Sequence, residues 1–137
     1  MTAENIISSI YSTTSGTRDL LLDDLNDCVE AGDLDSMKLD EIVDSISVLI
    51  PLHSNAAEQE SLFNVISSIY LNGKCHEKIE NIVLTRLCHL KAGALAHALE
   101  IIATSQLVNK KELLRDFANH ENDFIRKLVH SLLEQYG

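Results

Sequence analysis

Apolar side chains in this chain recur three and four positions apart almost from end to end, interrupted by only one proline and five glycines. Ile6 and Ile10, Leu21, Leu22 and Leu25, Ile42, Val43 and Ile46, and Leu62, Ile66 and Ile69 each line one side of a 3.6-residue repeat. A half-buried strand would place every second residue inside, so this spacing restricts the fold to helices.

Capping residues and breakers divide the sequence into eight expected helices. The first covers 3–13, with Thr2 as its cap and Ile6, Ile7 and Ile10 as its buried stripe. Ser15-Gly16 separates it from a second, capped by Thr17 and running to about residue 31. Gly32 then stands just past the helix end, where the left-handed conformation favours glycine. A polar connector, 33–37, leads to a third helix at 39–50, stopped by Pro51. Asn55 with Glu58 three residues on has capping-box spacing and opens a fourth helix that ends at Asn72-Gly73. The fifth is expected at 76–90, with Gly93 as the break before a sixth at 94–104. Asn109 and Asn122 cap the seventh and eighth, at 110–119 and 123–136.

A chain of 137 residues with 45% hydrophobic content reads as a single helical domain, 1–137. The three cysteines, Cys28, Cys75 and Cys88, cannot close a disulfide framework and read as small apolar residues in a reducing compartment. The first residues lack the basic start and apolar core of a signal peptide. No apolar run approaches the roughly 20 residues of a membrane span. The cytoplasm is the expected location, with no membrane partner.

Charge is the second constraint. Ten of the 21 acidic residues fall within residues 18–44, beside only Arg18 and Lys38, so this stretch carries −8 of the net −10. On a helical projection Asp19, Asp23, Asp27 and Glu30 share one face of the second helix, opposite Leu21, Leu22, Leu25, Cys28 and Val29. Asp40, Glu41 and Asp44 take the outer side of the third helix, and Asp33 and Asp35 lie in the connector. Asp27 and Glu30 sit near a helix C-terminus, where the macrodipole disfavours them, a placement that solubility alone would not require. The face reads either as an ordinary solvated surface or as a docking surface for a basic partner. Its candidate partner-binding residues are Asp19, Asp23, Asp27, Glu30, Asp33, Asp35, Asp40 and Asp44. Tyr11, on the neighbouring helix, is a candidate anchor that also reads as a half-buried core tyrosine.

Direct nucleic-acid binding runs against this charge, because Lys74, Lys78, Lys110, Lys111, Arg115, Arg126 and Lys127 all have acids nearby. Cys75-His76 and Cys88-His89 lack the two-to-five-residue spacing of paired zinc ligands, and Cys88 reads as a core residue. Asp33 and Asp35 start like a calcium loop, but Met37, Lys38 and Asp44 occupy positions that need other residues. His97 near Glu100 and His130 near Glu134 read as surface pairs. No nucleophile elbow, phosphate-binding glycine loop or zinc-protease helix is present, so neither an enzyme nor a cofactor is expected.

Leu113-Leu114-Arg115-Asp116-Phe117, the linker 120–122 and Asp123-Phe124-Ile125-Arg126-Lys127-Leu128-Val129 resemble a HEAT-type repeat. Earlier hairpins pair the third helix with the fourth and the fifth with the sixth. The expected fold class is therefore all-α, about eight helices packed as antiparallel hairpins, either a short HEAT-like α-solenoid or an irregular helical bundle. In size and architecture the whole chain also resembles a bacterial immunity protein of the polymorphic-toxin or contact-dependent growth inhibition type. Glu4-Asn5-Ile6-Ile7, the acidic amphipathic stretch 20–30 and the helix within 122–135 carry that likeness. The resemblance implies a cytoplasmic inhibitor that binds a cognate toxin, often a nuclease. A HEAT-like adaptor with no inhibitory role, holding a peptide or protein against residues 62–133, is the alternative.

Overall fold

Four helices begin where a side-chain oxygen accepts a first-turn N–H that has no partner inside its helix. Thr2 accepts from Asn5 N (3.2 Å), Asp35 from Lys38 N (2.9 Å), Asn55 from Glu58 N (2.8 Å) and Asn122 from Ile125 N (3.1 Å). They open α1 (Ala3–Ser12), α3 (Ser36–Ser47), α4 (Ala56–Leu71) and α8 (Asp123–Tyr136). The computed structural model describes residues 2–13, 18–48 and 55–136. It adds α2 (Arg18–Glu30), α5 (His76–Arg86), α6 (Ala92–Thr104) and α7 (Lys110–Arg115). The described residues hold eight α-helices and no strand. The expected Thr17 cap, the Ser15-Gly16 break, Pro51 and the last two residues of the third expected helix lie outside them.

Several boundaries differ from the sequence expectation, each for a local reason. The third helix starts at Ser36 rather than residue 39, because Asp35 supplies its cap. The fifth ends at Arg86 and tightens into a 3-10 turn, Leu87–His89, which leaves Cys88 exposed rather than in the core. The next break falls at Leu90 and Lys91, both extended, and Gly93 lies inside the first turn of α6. α7 stops at Arg115, and Asn109 makes no side-chain cap bond to it. Gly32 takes the expected left-handed conformation, with φ of 78°, and Gly73, at the Asn72-Gly73 break, shares it with φ of 82°.

Two pairs of contacts in trans set the architecture. At the start of α4, Glu58 accepts from Arg18 N at the start of α2 (3.4 Å). The adjacent Gln59 accepts from Lys91 N, the cap position of α6 (2.8 Å). Leu90, Lys91 and Ala92 share a cleft with His120, Glu121 and Asn122, so the start of α8 lies beside the start of α6. At the far end, Leu71, Thr104 and Tyr136, the last residues of α4, α6 and α8, line one cleft. Helices α2, α4, α6 and α8 therefore run in the same direction as one row, packed in that order, and the odd-numbered helices return between them. The fold of the described residues is thus all-α, with each helix packed against its neighbours.

The core lies behind this row. The middle helices are covered on both flanks, so α4 buries Leu62, Phe63, Val65, Ile66 and Ile69 around much of its circumference. The terminal α8 buries only the stripe Ile125, Val129 and Leu132. No helix among the described residues is long and apolar enough to cross a membrane.

Candidate functional site

Row formation divides the acidic stretch into two parts with different surroundings. The α2 part stays open. Asp23, Asp24, Asp27, Glu30 and Asp33 are exposed. Among the described residues, none of Asp19, Asp23, Asp24, Asp27 or Asp33 forms an ion pair. Leu20 stands 69% exposed among them, an apolar group on an anionic surface. Behind this face Leu22, Leu25 and Val29 are buried, as the helical projection requires.

The α3 part is engaged inside the protein. Lys78 of α5 reaches Asp44 at 2.9 Å and Asp40 at 3.4 Å, exposed ion pairs that link α5 to α3 and offset one of the two negative charges there. Lys38 pairs with Glu4 and Glu41. Asp40 also accepts from the Cys75 thiol at 3.2 Å. That hydrogen bond, followed by Lys78, holds the Asp40 carboxyl below its usual range. Burial first, and Asp40 second, push the Cys75 thiol up to about 11. It is therefore protonated at neutral pH and a poor nucleophile. The Asp44 hydrogen bond leads the causes that raise Lys78.

The remaining candidates also have identifiable places. Asp35 is the α3 cap, and Glu30 accepts from Asn26 Nδ2 at 3.1 Å. Tyr11 is 49% exposed, and its hydroxyl donates to the Ser45 carbonyl, tying α1 to α3. It lies beside the ion-paired α3 part, away from the clefts described next.

Two clefts open on the exposed side of the row. The first, about 350 Å³, is lined by Asp23 of α2, Glu60, Ser61 and Asn64 of α4, and His97 of α6. The second, about 330 Å³, lies between α6 and α8 and is lined by Leu71, Glu100, Thr104, Leu128 and Tyr136 among others. Neither contains Lys or Arg. Asn64 and Leu71 lie two turns apart on α4, and His97 and Glu100 one turn apart on α6, so the clefts belong to one continuous face.

Glu60, Asn64 and His97 are functional candidates that the sequence reading passed over as a group. Glu60 and His97 are isolated polar residues 37 positions apart, and only the packing of α4 on α6 joins them. One signal was present: Gly93 reads as a breaker but sits in a helix. A Cβ there would lie 2.6 Å from Glu60 Oε2, so this glycine makes room for the carboxylate. Among the described residues no group of His, Cys, Asp and Glu could hold a metal ion. No protein family, curated protein or solved structure matches the chain.

Proposed function

We propose that this chain is an immunity protein, an inhibitor that binds and neutralises a cognate basic toxin, with a nuclease domain as the favoured target. One observation carries the reading: the exposed carboxylates of α2 and its connector have no cationic partner among the described residues, while those of α3 do. A surface of uncompensated charge accelerates encounter with an opposite surface and selects among partners. Covering the basic cleft of a nuclease would exclude its phosphate substrate. The contributing residues are Asp19, Asp23, Asp27, Glu30 and Asp33, joined by Asp24.

The test is co-production with a nuclease toxin domain, taken from the neighbouring genes where one is encoded there, and the absence of any such neighbour counts against the reading. The wild-type chain should restore growth, with association that slows steeply from about 50 to 500 mM salt. Asp23→Lys/Asp27→Lys/Asp33→Lys should weaken binding by about 100-fold with unchanged circular dichroism. Undiminished binding by the folded triple variant refutes the reading. A HEAT-like adaptor, favoured by the second cleft, would instead bind with little salt dependence and be insensitive to these reversals.

A further inference from the structure

We infer that Asn72-Gly73 is a self-modification site, at which the chain converts its own asparagine through a cyclic imide into aspartate and isoaspartate, at a rate set by the C-cap of α4. The site lies outside the acidic face, so it does not depend on the basic-partner reading.

Asn72 is the one asparagine of the chain that is followed by glycine. A five-membered imide closes when the backbone nitrogen of the next residue attacks the asparagine Cγ, and glycine leaves that nitrogen unshielded because it has no Cβ. Asn72, Gly73 and their neighbours Leu71 and Lys74 are all exposed. A Cβ built at Gly73 would meet nothing within 4 Å, so water and hydroxide reach the turn. The Asn72 side-chain amide makes no hydrogen bond among the described residues.

Each step balances with water as the co-reactant. Hydroxide removes the Gly73 N–H proton, and the electron pair left on nitrogen forms a bond to Asn72 Cγ. The Cγ–Nδ2 bond breaks, and Nδ2 leaves as ammonia after taking a proton from water, which regenerates hydroxide. Water then opens one of the two C–N bonds of the imide. Breaking the bond to Cγ restores the main chain and leaves aspartate. Breaking the bond to the Asn72 main-chain carbonyl carbon routes the chain through Cγ and leaves isoaspartate.

The fold holds the nucleophile back. Gly73 N donates to the Tyr70 carbonyl at 2.9 Å and Lys74 N to the Ile69 carbonyl at 3.3 Å, the two bonds of a Schellman cap. The attacking nitrogen is therefore one of the cap donors, and with Asn72 ψ at 7° its N–H is committed to Tyr70. That bond must open before the imide can close. His76 of α5 also meets the Tyr70 carbonyl through Nε2 at 3.2 Å and stacks on the Tyr70 ring, so the next helix helps to hold the turn. The products act on the same cap. One neutral amide becomes a carboxylate, taking the net charge from −10 to −11, at a helix C-terminus where the macrodipole disfavours it. Isoaspartate also lengthens the main chain by a methylene within the cap. Leu71, on the second cleft, precedes the site, and Cys75, which donates to Asp40, follows it.

The experiment incubates the full chain in mildly alkaline buffer and follows it by intact mass, peptide mapping and methyl labelling with an isoaspartyl methyltransferase. Modification is expected at Asn72 ahead of every other asparagine, through an intermediate lighter by one ammonia, and faster as pH rises. A capped peptide of residues 70–74 gives the rate without the fold. The Gly73 N–H is both the exchanging proton and the nucleophile, so its hydrogen-exchange protection should equal, within about threefold, the slowing of the folded chain relative to that peptide. Asn72→Gln, which requires a larger ring, should abolish the signal at this position with unchanged circular dichroism. Earlier reaction at another asparagine would overturn the site. A folded chain that reacts as fast as the peptide while Gly73 stays protected, or one slowed far beyond that protection, would overturn control by the cap.

Discussion

Replacing Gln59 by Leu tests the contact that aligns the row. Gln59 is 2% exposed, and its Oε1 accepts from Lys91 N at 2.8 Å. Lys91 caps α6 in position but has no side-chain acceptor to offer, so the α6 N-terminus takes its acceptor from α4. Leucine preserves most of the volume and removes that acceptor. Losing an N-cap costs about 0.5–2 kcal/mol, and stranding a buried donor about 1–3 kcal/mol. The Lys91 amide is part-buried, so water compensates partially and about 1–2 kcal/mol is expected. With an unfolding entropy of about 2.1 cal/mol/K per residue over 137 residues, each kcal/mol lowers Tm by about 3.5 °C. Differential scanning calorimetry should therefore show a fall of about 3–7 °C. Hydrogen exchange at the Lys91 amide should accelerate while the amide of Phe63, central in the core, keeps its protection at the global limit of the variant. A Tm within about 1 °C of wild type, with Lys91 exchange unchanged, would refute the idea that α4 caps α6 across the row.

Three further outcomes follow from other contacts. Gly93→Ala should stabilise the wild-type chain less than a Glu60→Ala background, because its new methyl must first displace the exposed Glu60 side chain, whereas in the background helix propensity contributes up to about 1 kcal/mol unopposed; a double-mutant cycle by urea denaturation reads the coupling, and additive effects would contradict it. At about pH 8, iodoacetamide should modify exposed Cys88 before Cys75; Asp40→Asn should speed Cys75 alkylation several-fold without reaching the Cys88 rate, since burial is the larger cause of its raised pKa, and peptide mapping that finds no acceleration counts against the Asp40 contact. Burial, followed by a 2.6 Å hydrogen bond to Glu80, keeps the Tyr70 phenol protonated above the ordinary tyrosine value near 10. The folded state then holds a proton that the unfolded chain has released, so stability is full below about pH 10 and declines above it; ultraviolet titration should show Tyr70 ionising only with unfolding, and Tyr70→Phe should flatten that decline.

The helical reading succeeded where the signal was local. Apolar residues at Leu22, Leu25 and Val29, or at Ile42, Val43 and Ile46, leave one side of a helix to bury, and the structure buries those side chains. Thr2, Asn55 and Asn122 cap their own helices, because a cap acts within three residues of itself. Reasoning along the chain failed where the deciding partner lay on another helix. Lys91 cannot cap α6 with its own side chain, so the start of that helix and the role of Gly93 depend on Gln59 and Glu60.

The same division governs the candidate site. Sequence alone determined that the protein is helical and that its negative charge concentrates in residues 18–44, since periodicity and charge are properties of residue order. It could not separate Asp23 and Asp27 from Asp40 and Asp44, which look equivalent on a helical projection. Packing separates them. α5 brings Lys78 onto the α3 carboxylates, while α2 joins a row whose neighbours contribute Glu60, Asn64 and His97 without any Lys or Arg. Coulomb interactions fall off with distance and are screened within about 10 Å. The charge available to a partner is therefore decided by which groups the tertiary fold places side by side.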